Sequence, residues 1–160
     1  MIAVAILGIL LAFAMPSYQT WIANTKVRTA TESILNGMQK ARSESLLRNT
    51  QVRFSLGANS TWTVECVIAA NCPDLTAPPG QVEARSSDEG GTQDIVINSG
   101  GNTVLVFSNL GIKSTTAANQ IAQVDLSQVG ADRPLRITVG GGGTVRMCDP
   151  STGVSDPRRC

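Results

Sequence analysis

The chain has 160 residues, a formal net charge of +1, no histidine and four cysteines. Without histidine no Ser-His or Cys-His nucleophile pair can form, and near-zero net charge leaves no overall field to draw in nucleic acid. Aromatics make up only 4 %, so a core must rest on Val, Ile and Leu, with Trp62, Phe54 and Phe107 as its largest members.

Met1 to Met15, MIAVAILGILLAFAM, is an unbroken apolar run that needs lipid or similar helices to cover it. Three readings compete. A membrane anchor would be short against the roughly 20 residues of a bilayer core. A secretory signal would use the small-x-small site Ala12-Phe13-Ala14 but lacks the usual basic start. A buried core helix would need a second long apolar helix, and none follows.

Beyond Pro16-Ser17-Tyr18 the pattern stays helical to about Phe54. Ile22, Val27, Ala30, Ile34, Met38 and Ala41 mark one apolar face. Arg28 with Glu32, Lys40 with Glu44 and Glu44 with Arg48 stand four apart, which predicts ion pairs on the solvent side. Pro16 favours a kink, and Gly37 weakens the helix by about 1 kcal/mol relative to Ala.

From Gln51 onward, β-branched residues alternate with polar ones in Gln51 to Leu56, Thr61 to Val67, Asp94 to Asn98, Thr103 to Phe107, Ile121 to Leu126, Leu135 to Val139 and Thr144 to Met147. Leu56 to Ser60 and Gly140 to Gly143 read as hairpin loops, and Pro73 to Gly91 as a long mobile loop. The predicted class is α+β, a long N-terminal helix followed by an antiparallel sheet or sandwich head.

Proximity pairs Cys66 with Cys72 and Cys148 with Cys160, although four cysteines allow three connectivities. An even count on the strand-rich side fits an oxidising compartment such as a periplasm. Zinc is disfavoured, because the chain has neither closely spaced Cys pairs nor histidine. The Gly140 to Gly143 run lacks the Gly-Lys-Ser/Thr ending of a phosphate loop. Asp149 and Asp156 each precede a proline, as turn initiators do. No catalytic residue, cofactor or metal is expected.

The string IAVAILGILLAFAMPSYQTWIANTKVRTA resembles the N-terminal helix of type IV pilins and type II secretion pseudopilins. Val106-Phe107-Ser108-Asn109-Leu110-Gly111 and the end LRITVGGGGTVRMCDPSTGVSDPRRC resemble the FimT/GspH branch. Such proteins open with a basic leader, a Gly-Phe processing site whose Phe is methylated, and a segment containing glutamate. Met1 would fall about six residues inside the mature protein, so the sequence is expected to be truncated at its start, and restoring those residues brings the apolar run to about 20.

The resemblance implies a non-enzymatic minor pilin or pseudopilin with two parts. Residues 1–24 would be the membrane and filament-core part. Residues 25–160 would be a periplasmic head, with an amphipathic helix over 25–53 and a β-rich region over 54–160. The protein would be single-pass in the bacterial inner membrane. Its partners would be other pilins or pseudopilins through the helix, membrane lipid and the inner-membrane assembly platform. The chain would sit at or near the tip of a type IV pilus or type II secretion pseudopilus. The cysteine-bracketed, arginine-containing end resembles pilus-associated FimT proteins more.

Two rivals stand beside it. Some FimT-like minor pilins bind DNA through a basic C-terminal Gly-Arg-x-Arg pattern. Here that position reads Gly143-Thr144-Val145-Arg146, with threonine for the first arginine. Arg133, Arg136, Arg146, Arg158 and Arg159 could still meet phosphates, though no aromatic interleaves with them to stack on bases. The other rival is a secreted soluble β domain whose apolar run is a removed signal.

Overall fold

The computed structural model describes residues 2–72, 78–153 and 155–160, with the backbone alone for residues 2–14 and 16. One helix, α1 (Ile2–Leu47), is followed by eight strands: β1 (Val52–Leu56), β2 (Trp62–Cys66), β3 (Gln81–Arg85), β4 (Val96–Asn98), β5 (Val104–Phe107), β6 (Gln123–Ser127), β7 (Leu135–Val139) and β8 (Val145–Cys148). They form two four-stranded antiparallel sheets, ordered β3-β2-β1-β5 and β4-β6-β7-β8. The fold is α+β.

The period-3.6 face of α1 meets the period-2 faces of both sheets. Val27, Ala30, Ile34, Met38 and Ala41 from the helix share one buried cluster with Val52, Phe54, Trp62 and Val64 of the first sheet and Val124, Leu126 and Ile137 of the second. Gly37 makes the closest approach possible. A Cβ built there would lie 2.8 Å from the Trp62 ring and 2.9 Å from Phe54, so the local loss of helix propensity is the condition for seating two aromatics against the helix. The Trp62 indole Nε1 then donates to Ser33 Oγ at 2.9 Å, which satisfies its polar end.

Three expectations need correction. The helix stops at Leu47 rather than near residue 53 or 54. Asn49 takes φ +48, and the Asn49 and Thr50 amides donate to the Leu46 and Ser45 carbonyls at 3.4 and 3.2 Å, a Schellman ending with asparagine in the left-handed position where glycine is the common signal. The stretch 73–91 is not one long loop. Its first part, 73–77, lies outside the described residues, but Gln81–Arg85 is the edge strand β3 and Ser87–Gly90 a short 3-10 turn capped by Ser86. β3 is a half-exposed edge, so no apolar alternation announces it. Third, Glu44 does not lie on the solvent side.

Glu44 is 6 % exposed. Lys40 Nζ approaches its carboxylate at 2.9 Å and Arg48 Nε at 2.7 Å. Burial by itself would push the Glu44 carboxyl up, but the hydrogen bonds from Lys40 and Arg48 and their charges outweigh it and hold the group below its ordinary value. The Arg28–Glu32 pair, at 2.8 Å, is the exposed one of the three.

Candidate assembly surface

Helix α1 passes through two environments. From Ala23 upward its inner face is buried by the head, while Met15, Tyr18 and Trp21 are each 61 % exposed. Tyr18 and Trp21, three apart and so on one side of the helix, stack with ring centroids 5.9 Å apart. By helix geometry that side points away from the face carrying Ala23, Val27 and Ala30. The backbone stays helical through position 16, and the kink predicted at Pro16 concerns a residue whose side chain lies outside the described ones. So does most of the apolar run, and among the described residues no helix is long and apolar enough to cross a membrane.

Where the bare stalk meets the head, a polar clamp fixes the two together. Asn24 Nδ2 donates to Asp132 Oδ1 at 2.6 Å, and its Oδ1 accepts from the Asp132 and Arg133 amides at 3.2 and 3.1 Å. Lys26 faces Asp94 at 3.6 Å. The loop between β6 and β7 is thereby tied to the helix one turn above Trp21. Asn24 carries no periodicity signal, and its partners are 108 and 109 residues away, so sequence reasoning had no means of finding it.

Two disulfides brace the head, Cys66–Cys72 and Cys148–Cys160. The second returns the C-terminus to β8, where the Asp149 amide also donates to the Arg158 carbonyl at 2.8 Å. β7 pairs with β8 so that Arg136 lies opposite Cys148 and Thr138 opposite Arg146. Arg136 and Arg146 are therefore diagonal neighbours on one sheet face, with Arg158 and Arg159 brought to the same strand end and Arg133 just before β7.

The cluster is partly neutralised. Arg136 makes a two-pronged pair with Asp125, Nε at 2.5 Å and Nη2 at 3.0 Å, whose hydrogen bonding raises the guanidinium pKa. Arg158 does the same with Asp156, and those hydrogen bonds hold the Asp156 carboxyl down at about 2. Arg133, Arg146 and Arg159 have no acid partner among the described residues. No group of metal-binding side chains occurs among the described residues either.

A long helix sheathed by a disulfide-braced two-sheet head from Ala23 upward, with Met15, Tyr18 and Trp21 exposed below it, is the build of a pilin-type assembly subunit. The family model described as type II transport protein GspH matches residues 30–154, and the chain belongs to that family. No curated protein and no solved structure matches the chain. It is thus a pseudopilin or minor-pilin subunit of a structural, non-enzymatic family.

Proposed function

We propose that this chain is held in the inner membrane by its N-terminal helix, with its head in the periplasm, and assembles through that helix at or near the tip of a type IV pilus or type II secretion pseudopilus. The observation that carries the reading is the exposed aromatic side of α1 at Tyr18 and Trp21, directly continuous with the apolar run. Lipid covers the apolar run first, with Tyr18 and Trp21 at its water-facing end, and neighbouring helices cover both in the filament. One apolar environment replaces another, so extraction need not bring the run into water. Lipid and the assembly platform are partners of the first state, and other pilins or pseudopilins of the second.

The test is fractionation of cells expressing the full-length gene product, wild type and Leu10→Glu. Wild type is expected in the membrane fraction and in sheared filaments. The variant, with a charge in the apolar run, is expected to be lost from both. Recovery of the wild-type head from the soluble periplasm, cut near Ala14, would establish the secreted β domain instead.

DNA capture is the second reading, favoured by the exposed Arg146 and Arg159 on one end of the second sheet, which have no acid partner among the described residues. A gel-shift titration at two salt concentrations tests it. A salt-sensitive shift lost on converting Arg146, Arg158 and Arg159 to alanine supports it, and no shift at low salt removes it.

A further inference from the structure

We propose that the outer edge of β8 is a docking site for an extended segment of another protein in which apolar and acidic residues alternate. The inference is independent of how the helix assembles. Each four-stranded sheet has two edges, and an open edge is a template for pairing that proteins normally close.

One of the other three edges is covered and two are blunted. β5 is covered by its own downstream loop: the Ser114 and Ile121 amides donate to the Val106 and Val104 carbonyls at 2.8 and 2.9 Å, and the Gln120 side chain accepts from the Val106 amide at 2.9 Å. β3 carries Glu83 and Arg85, follows Pro78-Pro79 and has a register shift against β2. β4 is only three residues long. β8, four residues long, carries the single charge of Arg146 but, among the described residues, has no covering loop, proline or register shift along Val145 to Met147.

Its hydrogen-bonding direction follows from the register. The Gly140 amide donates to the Thr144 carbonyl at 2.9 Å, and the pairs alternate from there, so Arg146 and Cys148 bond to Thr138 and Arg136 of β7. The amides and carbonyls of Val145 and Met147 therefore point out of the sheet, and among the described residues nothing pairs with them. One rung further, at Asp149, the same edge does accept an added strand: the chain's own tail forms a parallel bridge there through Arg159. The edge is competent for strand addition, and the tail takes one rung of it.

What lies beside the open rungs selects the occupant. A cleft of about 410 Å³ runs between β8 and α1, lined by Gln39, Arg42, Ser43, Leu46, Gly143 and Val145. Leu46 and Met147 are 52 % and 36 % exposed. Every second side chain of an added strand would enter this cleft and meet apolar surface. The intervening side chains would share the opposite face with Arg146, which is exposed and has no acid partner among the described residues. Arg42 lines the cleft on the other face, its Nε donating to the Gly111 carbonyl at 2.9 Å, so the charge facing the intervening side chains is that of Arg146. The nearby carboxylates are engaged elsewhere, Glu44 by Lys40 and Arg48 and Asp149 by Ser151. Opposite charges directly across a strand pair are favourable and like charges are not, which specifies acidic residues on that face.

The experiment uses the full chain in detergent micelles and two short synthetic peptides, one alternating valine with glutamate and one alternating valine with lysine. In the free protein, hydrogen exchange of the Val145 and Met147 amides is expected to be fast and that of Arg146 slow. Equal protection of all three would show a closed edge and overturn the proposal. Added Val-Glu peptide is expected to slow the Val145 and Met147 amides and to bind about tenfold or more tightly than Val-Lys peptide. Equal binding of the two, or binding without that protection, overturns it.

Met147→Pro removes an outward amide without touching the ladder to β7, and is expected to weaken Val-Glu binding about tenfold. Arg146→Glu leaves the backbone intact and is expected to reverse the preference between the peptides. Unchanged preference in a folded Arg146→Glu chain contradicts the assignment, whatever Met147→Pro does to folding.

Discussion

The two halves of α1 are built from the same kind of helix and do opposite things. From Ala23 to Ala41 the helix is the central strut of the head, its inner face buried between two sheets. From Met15 to Trp21 it leaves large apolar side chains in the open. The difference is where the tertiary partners stop, and Asn24 marks the boundary. A residue in the upper half therefore acts on the stability of the head. A residue in the lower half acts on whatever covers the stalk.

Substitutions can break that division. Ile34→Ala empties a fully buried site in the core cluster to which both sheets contribute and is expected to cost about 2–5 kcal/mol in denaturant unfolding of the head. Replacing Cys148 and Cys160 together by serine frees the tail from β8 and is expected to cost about 3 kcal/mol in the chain-entropy model, read the same way. Asn24→Ala removes three hydrogen bonds at the boundary. It is expected to cost about 1 kcal/mol and to speed hydrogen exchange in residues 131–133 without affecting β1 and β2. Tyr18→Ala with Trp21→Ala is expected to change head stability by less than about 0.5 kcal/mol while reducing recovery in filaments. A large loss of head stability from that last pair would erase the distinction between the halves.

Acid sharpens the same comparison. The folded-state pKa of Glu44 is depressed, so its contribution is present above the unfolded carboxyl range and is lost as pH falls through the lower folded value. Wild type and Glu44→Gln should therefore differ in stability at neutral pH and converge in strong acid, as measured by urea unfolding at a series of pH values. A constant difference across that range would show that the carboxylate charge is not what matters at this site.

Much of the head was legible because its core obeys simple periods. Val27, Ala30, Ile34, Met38 and Ala41 recur as a helix face must, and Val52, Phe54 and Leu56 alternate as a half-buried strand must. The helix end was missed because Asn49 is a weaker stop signal than glycine. β3 was missed because an edge strand has no face that must be apolar. The partly buried ionic triad at Glu44 was readable as pairs but not as a place, since spacing says which charges meet and not what covers them. The Asn24 clamp and the open β8 edge depend on register and on contacts more than a hundred residues apart, which no local pattern encodes.

The most direct test of a helix with one half sheathed by its own head and the other awaiting a partner is acrylamide quenching of single-tryptophan chains. Trp62→Phe leaves Trp21 as reporter, and Trp21→Phe leaves Trp62, which is 3 % exposed. Trp62 should be shielded both in the unassembled subunit and in the filament. Trp21 should be quenched in the subunit and shielded in the filament. Equal quenching of Trp21 in both states would contradict assembly through this face of the helix.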